Sequence, residues 1–559
     1  MEARLASKKE LNINYFKIPI EDFDINNEKG KEKEIRNLLM NTNHLTFDEY
    51  RKIDQILKEY VEQNQVELIE ILLSEEIESH DAIFKINKNA KTASLFKIIK
   101  ETENFIVPKS IQYNSENYTV TSIIDSGSGY NKLVKNFQFD EDTKIQTIYR
   151  KAFYKSSIES LYIPPNLKDL QEGWCIETNT LNCIKISQLN KNFQFINDQF
   201  LLGKSDPKSD NFDVLLFAVR NISEAKIPSN IKVISSYSFY GCRNLTKIEI
   251  PQNSELQRIE NNAFSYTRIE HIFIPPHLNN LNGIFNLGSQ SLKKFEISKL
   301  NKNFLFKNDQ FLLGKSDPKS DNFDVLLFAV RDISEAKIPS NIKVISSFAF
   351  TECEQLTKVE IPLNSKLQRI EEYAFSYTPI NQIFIPQHVK MIGCHAFEQC
   401  EELEIVEFAQ NSELQIIDEY AFSNTQIYEI FIPSNVSKLG RNAFSGCSNL
   451  NCFEIPKDSK LQSFEKCTFA NTKINQIFVP CNVKKICDYA FSGCSNLINI
   501  GIPKNSKLES IGINAFSYTQ IEEIYFPSKL KELSEGWCSN LEILDQIRIS
   551  PLNKNFKMI

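Results

Sequence analysis

Between Phe350 and Phe516 the apolar and polar positions of the chain repeat with a fixed beat. A phenylalanine closes each unit at 350, 375, 397, 422, 444, 469, 491 and 516, at intervals alternating between 25 and 22, so the true repeat is a 47-residue pair. In the longer half Cys follows the Phe by three residues (Cys353, Cys400, Cys447, Cys494); in the shorter half Thr does (Thr378, Thr425, Thr472, Thr519). Each Phe leads into one pattern, as in Leu356-Thr357-Lys358-Val359-Glu360-Ile361-Pro362. Side chains alternate faces along a strand, so Val359 and Ile361 face a core and Glu360 faces out. Pro362 ends the strand because it has no N–H to give a ladder. Leu367 and Ile370 then carry the chain over the far side to Ala374 and Phe375, which fill the turn of the coil.

One such coil buries nothing by itself, and only stacking covers its two open faces. A period of 20 to 29 residues with L-x-x-L-x-L spacing is the mark of a leucine-rich solenoid, so the expected fold is an α/β or mainly β repeat solenoid. The run Ile432-Pro433-Ser434-Asn435-Val436-Ser437-Lys438-Leu439-Gly440, continuing to Ala443-Phe444-Ser445-Gly446-Cys447, resembles the BspA-like leucine-rich repeat family. The resemblance covers roughly residues 84 to 559 in about ten coils. It implies a surface antigen, adhesin or matrix-binding protein of the kind found in bacteria and parasitic protists.

The ends and the middle of the chain depart from the beat. In residues 1–80, Thr46-Phe47-Asp48-Glu49 has capping-box spacing and Phe47, Tyr50, Ile53, Leu57, Tyr60 and Val61 follow at helical intervals, which predicts two or three short helices capping the array or forming a small domain. The solenoid is expected over 81–559, beginning with short strands and a degenerate coil that has Ser128 in place of the Phe. The 24 residues at 197–220 recur identically at 308–331, so a module with a period of 111 has been duplicated. Its strand-like pieces, separated by Asn-Asp and by Asp-Pro-Lys-Ser-Asp-Asn, predict a hairpin plus one strand in each of two insertions, at about 184–226 and 295–337. Ile549 to Phe556 matches Ile186 to Phe193 and opens a third copy, whose edge is a candidate for self-association.

Candidate chemistry thins out on inspection. Leu-Gly-Lys-Ser at 202–205 and 313–316 imitates the end of a phosphate-binding loop, but Asp198 and Asp309 stand where its first Gly is required. His44, His80, His271, His277, His388 and His395 are scattered, without metal-ligand spacing, and no nucleophile motif is present. No cofactor, metal or catalytic residue is therefore expected. The net charge is -7 with both signs dispersed, which lacks the basic stripe of a nucleic-acid partner. The first twenty residues lack a signal-peptide pattern and no 18-residue apolar run occurs, which points to the cytoplasm, whereas the family resemblance points to the cell surface. Among the thirteen cysteines, those after the Phe sit two coils apart. That is roughly 9 to 10 Å at the spacing of stacked strands, too far for a disulfide. They read as small buried thiols.

One row rises above this background. The outward strand residue is aromatic in the Thr-type coils (Tyr162, Phe273, Phe384, Phe431, Phe478, Tyr525) and acidic in the Cys-type coils (Glu249, Glu360, Glu407, Glu454), with Glu296 preceding the second insertion and Gly501 breaking the run. Stacked in register, these form a ladder of rings interleaved with carboxylates, the kind of exposed surface that marks a partner site. The expected function is non-catalytic recognition of a protein or glycan along this sheet, as in adhesion; an intracellular scaffold using the same surface is the alternative.

Overall fold

A computed structural model describes residues 74–124, 133–140, 142–281, 291–541 and 543–556. The chain divides into two compact units, one comprising the chain up to Ala225 with Ile231–Leu245, the other Lys226–Asn230 with Thr246–Ile559. Among the described residues every regular element is a strand, so the fold is a mainly β solenoid. The expected N-terminal helices and the degenerate coil around Ser128 lie outside the described residues, although strand structure already begins at Glu75, inside the region read as helical.

In the second unit each coil has three arms. The first is the L-x-x-L-x-L strand: Gln382–Ile385, Ile405–Phe408, Glu429–Phe431 and Cys452–Glu454 form one parallel sheet. The second is a two-residue strand on the far side, where Val344–Ile345, Arg369–Ile370, Met391–Ile392, Ile416–Ile417 and Lys438–Leu439 run parallel. The third arm holds the closing Phe and has no regular strand. Instead its residues alternate conformation, with positive φ two before and two after the Phe, as at Tyr373 and Tyr377 (53° and 58°) around Phe375. The alternation turns every second N–H toward the next coil: Tyr373, Phe375 and Tyr377 donate to the carbonyls of Cys394, Ala396 and Glu398 at 2.8 to 3.0 Å. The left-handed conformation costs a side-chain-bearing residue roughly 1 kcal/mol or more. The bonds offset that cost only because each coil presents the same carbonyls to the one before.

Stacking brings the closing phenylalanines face to face. From Phe350 to Phe516 neighbouring rings lie 4.7 to 5.7 Å apart and within 13° of parallel. All eight are fully buried, forming the spine of one continuous apolar core. Phe348, Tyr373, His395 and Tyr420 make a shorter parallel stack beside it, at 4.4 to 4.9 Å.

The insertions extend the far-side sheet from within. Leu305–Lys307, Phe311–Gly314 and Val325–Ala329 form an antiparallel meander with a bulge between Leu312 and Leu313, and its last strand pairs in parallel with Val344–Ile345. In the first unit Gln194–Ile196, Phe200–Gly203 and Val214–Ala218 repeat this, bulge included, and lead into Val233–Ile234. The same plan appears a third time where the described chain begins. Glu75–Ser79, Ala82–Asn87 and Thr92–Ile98 form a meander with its bulge between Ile83 and Phe84, and the last strand runs parallel to Glu116–Ile123. A Cβ at Gly203 would come 2.7 Å from a terminal methyl of Leu216, so a larger residue there requires that side chain to move aside. The equivalent Lys85 lays its Nζ 5.1 Å from the Phe96 ring centre.

The segment Ser550 to Phe556 also adopts the module's opening. Asn553 donates its side-chain amide to the carbonyls of Pro527 and Leu530 at 2.7 and 3.1 Å, as Asn190 does to Pro164 and Leu167.

Candidate functional site

The ten ladder residues lie at alternate strand positions between core-facing neighbours, which are buried except for the half-buried Phe408 beside Glu407 and Ile455 beside Glu454. Phe431, 53% exposed, sits between Ile430 and Ile432, which are buried at 0% and 3%. Tyr162, Glu249, Glu407 and Glu454 are exposed, while Phe273, Glu360, Phe384, Phe478 and Tyr525 are half-buried, Tyr525 packing against the apolar core. The register brings ring and carboxylate side by side: Phe273 opposite Glu296, Phe384 opposite Glu407 and Phe431 opposite Glu454. Ile405 pairs with Glu429, which sets Glu407 next to Phe431. Toward the ends of the second unit the ladder changes character. Phe478 faces Gly501, and Tyr525 faces Arg548, whose guanidinium is taken by Glu523 at 2.9 Å. In the first unit Tyr162 stands opposite Lys185.

The carboxylates are not equivalent. Glu360 is bonded by Lys358 at 2.6 Å and approached by Lys337 at 3.4 Å, and the Lys358 bond holds its carboxyl below the usual range. Glu249 is met by Lys247 at 3.3 Å. Among the described residues no lysine or arginine comes within ion-pair distance of Glu407 or Glu454. The centre of the sheet is therefore net acidic and ringed. Along the starts of the same strands runs a shallow cavity of about 290 Å³ lined by Glu404, Gln426, Tyr428, Asn449, Asn451 and Lys473. Asn449 donates to Gln426 Oε1 at 2.8 Å, and Tyr428 is 39% exposed.

Residues with catalytic potential are engaged in structure. Ser205 of the Leu-Gly-Lys-Ser run gives its N–H and hydroxyl to Asp213 at 2.8 and 2.7 Å, and Lys204 lies over the Phe212 ring, so this run binds its own chain. Ser316, Asp324, Lys315 and Phe323 repeat the arrangement. His395 stacks between two tyrosines and bonds Glu398 at 2.7 Å. No group of three or more metal-ligating side chains occurs among the described residues, and no helix there is long and apolar enough to cross a membrane. Asn435, one of four glycosylation triplets, donates its amide to the Ser412 carbonyl and is committed to the coil.

The thirteen cysteines are all free thiols, and those after the Phe are buried. The structure gives them a partner that a reading as small apolar filler misses. Cys447 Sγ reaches back to the Phe422 carbonyl at 3.0 Å and to Thr425 Oγ1 at 3.2 Å, while Thr425 donates to that same carbonyl. Thr378 with Cys400 and Thr472 with Cys494 repeat the contact. The invariable 22-residue step from Thr to Cys was the signal for it. Burial pushes the Cys447 thiol up to about 11, so it stays protonated and unreactive near neutral pH.

Parallel coils, an apolar spine and a patterned outward sheet define a leucine-rich repeat solenoid. The chain belongs to the BspA type leucine rich repeat family, whose six-copy region model matches residues 92–201, 213–311, 324–451 and 415–545. Solved structures of similar fold include a leucine-rich repeat protein of Bacteroides ovatus (19% identity over 85% of this chain and 99% of that one, TM-score 0.38). Another, from Eubacterium ventriosum, has 17% identity over 79% and 93%, TM-score 0.41. The pneumococcal vaccine antigen PcpA has 15% identity over 85% and 99%, TM-score 0.34. No curated protein matches.

Proposed function

We propose that this protein is a non-catalytic recognition protein that binds a protein or glycan along the outward sheet of its solenoid, in an adhesive role at a cell surface. The observation that carries the reading is the central ladder Phe384, Glu407, Phe431, Glu454, in which rings fixed by strand pairing alternate with carboxylates that meet no cation among the described residues. Rings already held by the sheet lose little freedom on binding, which is why such groups dominate interface energetics. Membership of a repeat family supports a binding scaffold over an enzyme.

The test is the double variant Phe431→Ser with Phe478→Ser, compared with the native chain in attachment to immobilised extracellular matrix and to cultured cells. Both side chains point away from the core, so circular dichroism and melting should be unchanged while attachment falls. Digesting the matrix beforehand with protease or with glycosidase distinguishes a protein from a glycan ligand. Undiminished attachment by the folded variant sinks the proposal.

A further inference from the structure

We infer that the central ladder is built for a polyproline II segment carrying arginine or lysine at every third residue, lying across the strands. This rests on the reading that the outward sheet is the binding face, and narrows the ligand to one backbone geometry. Its basis is the 47-residue pair repeat: like residues recur on every second strand. Neighbouring strands are about 4.8 Å apart, so Glu407 and Glu454 recur at about 9.6 Å, with the Phe431 ring midway between them.

A ligand crossing the strands must repeat its own contacts at that distance. A polyproline II helix has three residues per turn at about 3.1 Å each, a period of about 9.3 Å. An extended strand repeats a face at about 6.6 Å and slips out of phase by the second contact. An α-helix comes back to the same face after seven residues, about 10.5 Å, and its mismatch per contact is about three times that of polyproline II.

Charge and chemistry agree with the spacing. Glu407 and Glu454 have no cation of their own among the described residues, unlike Glu360, and would take one basic side chain per turn. The two residues between successive charges fall over Phe431 or Phe384, and proline on an exposed aromatic face is the usual contact for this conformation. Polyproline II leaves its backbone carbonyls unbonded. The Asn449 and Asn451 amides at the edge of the same sheet can donate to them.

Fluorescence anisotropy on the full chain tests this with a labelled peptide of five Pro-Pro-Arg repeats. Controls are a peptide of Pro-Pro-Glu repeats, one of Pro-Pro-Pro-Arg repeats with the same number of arginines, and an Arg-Val alternating peptide. The Pro-Pro-Arg peptide should bind, weaken about tenfold in the double variant Glu407→Gln with Glu454→Gln, and weaken similarly in Phe431→Ser. The Pro-Pro-Glu peptide should not bind, and the four-residue repeat should bind several-fold less tightly. If the Arg-Val peptide binds as well as Pro-Pro-Arg and is equally weakened by the variants, the face remains a binding surface and the polyproline II assignment fails. If no peptide binds, or none responds to either variant, the polyproline II assignment fails, while attachment of the Phe431→Ser, Phe478→Ser variant to matrix decides separately whether this face binds at all.

Discussion

The regular coils from Phe350 to Phe516 and the meander from Leu305 to Ala329 solve one problem, satisfying buried backbone polar groups, by opposite means. In the regular coils, repetition does it. Alternate N–H groups of the third arm find a carbonyl because the next coil is the same coil again, and the side chains recruited to buried backbone are neutral ones, Thr, Cys, Ser and Asn. The meander breaks that repetition by pairing the chain with itself, and charges fill the gap. Arg331, buried at 4%, donates to the carbonyls of Ala349 and Phe348 at 2.8 and 3.2 Å and lies 4.1 Å over the Phe328 ring. It also meets Cys353 Sγ at 3.7 Å, 22 residues on, so an arginine does for the first cysteine after the insertion what threonine does in later coils. Arg220 and Cys242 repeat this in the other copy. Where a repeat is unbroken, polar satisfaction comes from the geometry; where it is interrupted, buried ions replace it.

The largest expected effect breaks the regular side of this contrast. Phe444 is fully buried, stacked at 5.5 and 5.7 Å between Phe422 and Phe469 with Phe453 edge-on at 5.5 Å. Phe444→Ala should cost roughly 3 to 5 kcal/mol, since coils held by three ladders cannot collapse into the void. Denaturant titration measures it, and a loss below about 1 kcal/mol would remove this ring from the core.

The meander carries one of the carboxylates through which the chain should answer to acid. Burial acts to raise the Asp324 carboxyl, but Lys343 and the Ser316 N–H and hydroxyl outweigh it and hold it below its ordinary value. A depressed carboxylate contributes stability above its unfolded pKa, near 4, that is lost as pH falls through the folded value. Asp213, set the same way, acts in the same direction. Asp324→Asn should therefore cost about 1 to 3 kcal/mol at neutral pH and flatten the acid limb of the stability curve. An unchanged acid limb in the variant would mean that the carboxylates driving acid unfolding lie elsewhere.

What could be read from the sequence follows the same division. The alternation that put Val359 and Ile361 inward and Phe431 outward survives because a strand has only two faces and every coil states the pattern again. The third arm was less visible. Tyr373, His395 and Tyr420 are not turn residues, and only Asn424, Asn442, Gly446, Asn471, Gly493 and Asn514 at the matching positions signal a left-handed backbone. The meander at Glu75 to Ile98 was hidden for another reason. It shares with the two insertions only its apolar alternation and its bulge, and a lysine stands where they have glycine. As for the ladder, register could be inferred from period, but which carboxylates are already neutralised depended on where long lysine side chains come to rest.

The smallest effect concerns why the repeat is a pair at all. If Thr and Cys merely fill space, the 25 and 22 steps are an accident of duplication; if they share a carbonyl, direction matters. Thr425 and Cys447 both donate to the Phe422 carbonyl, whereas Thr472 belongs with Cys494. Thr425→Val alone should cost about 1 kcal/mol, because Cys447 still serves that oxygen, and Cys447→Ala about the same. Together they strip both side-chain donors from a buried carbonyl, so the double variant should exceed the sum by about 1 kcal/mol. Pairing Cys447→Ala with Thr472→Val, which removes no shared acceptor, should be additive to within about 0.5 kcal/mol. Equal coupling in the two cycles would mean that the pair repeat has no hydrogen-bonded basis. Excess cost confined to the Thr425 cycle would identify the folding unit as a Thr coil followed by a Cys coil, and would predict that truncations after a Cys coil are better tolerated than truncations after a Thr coil.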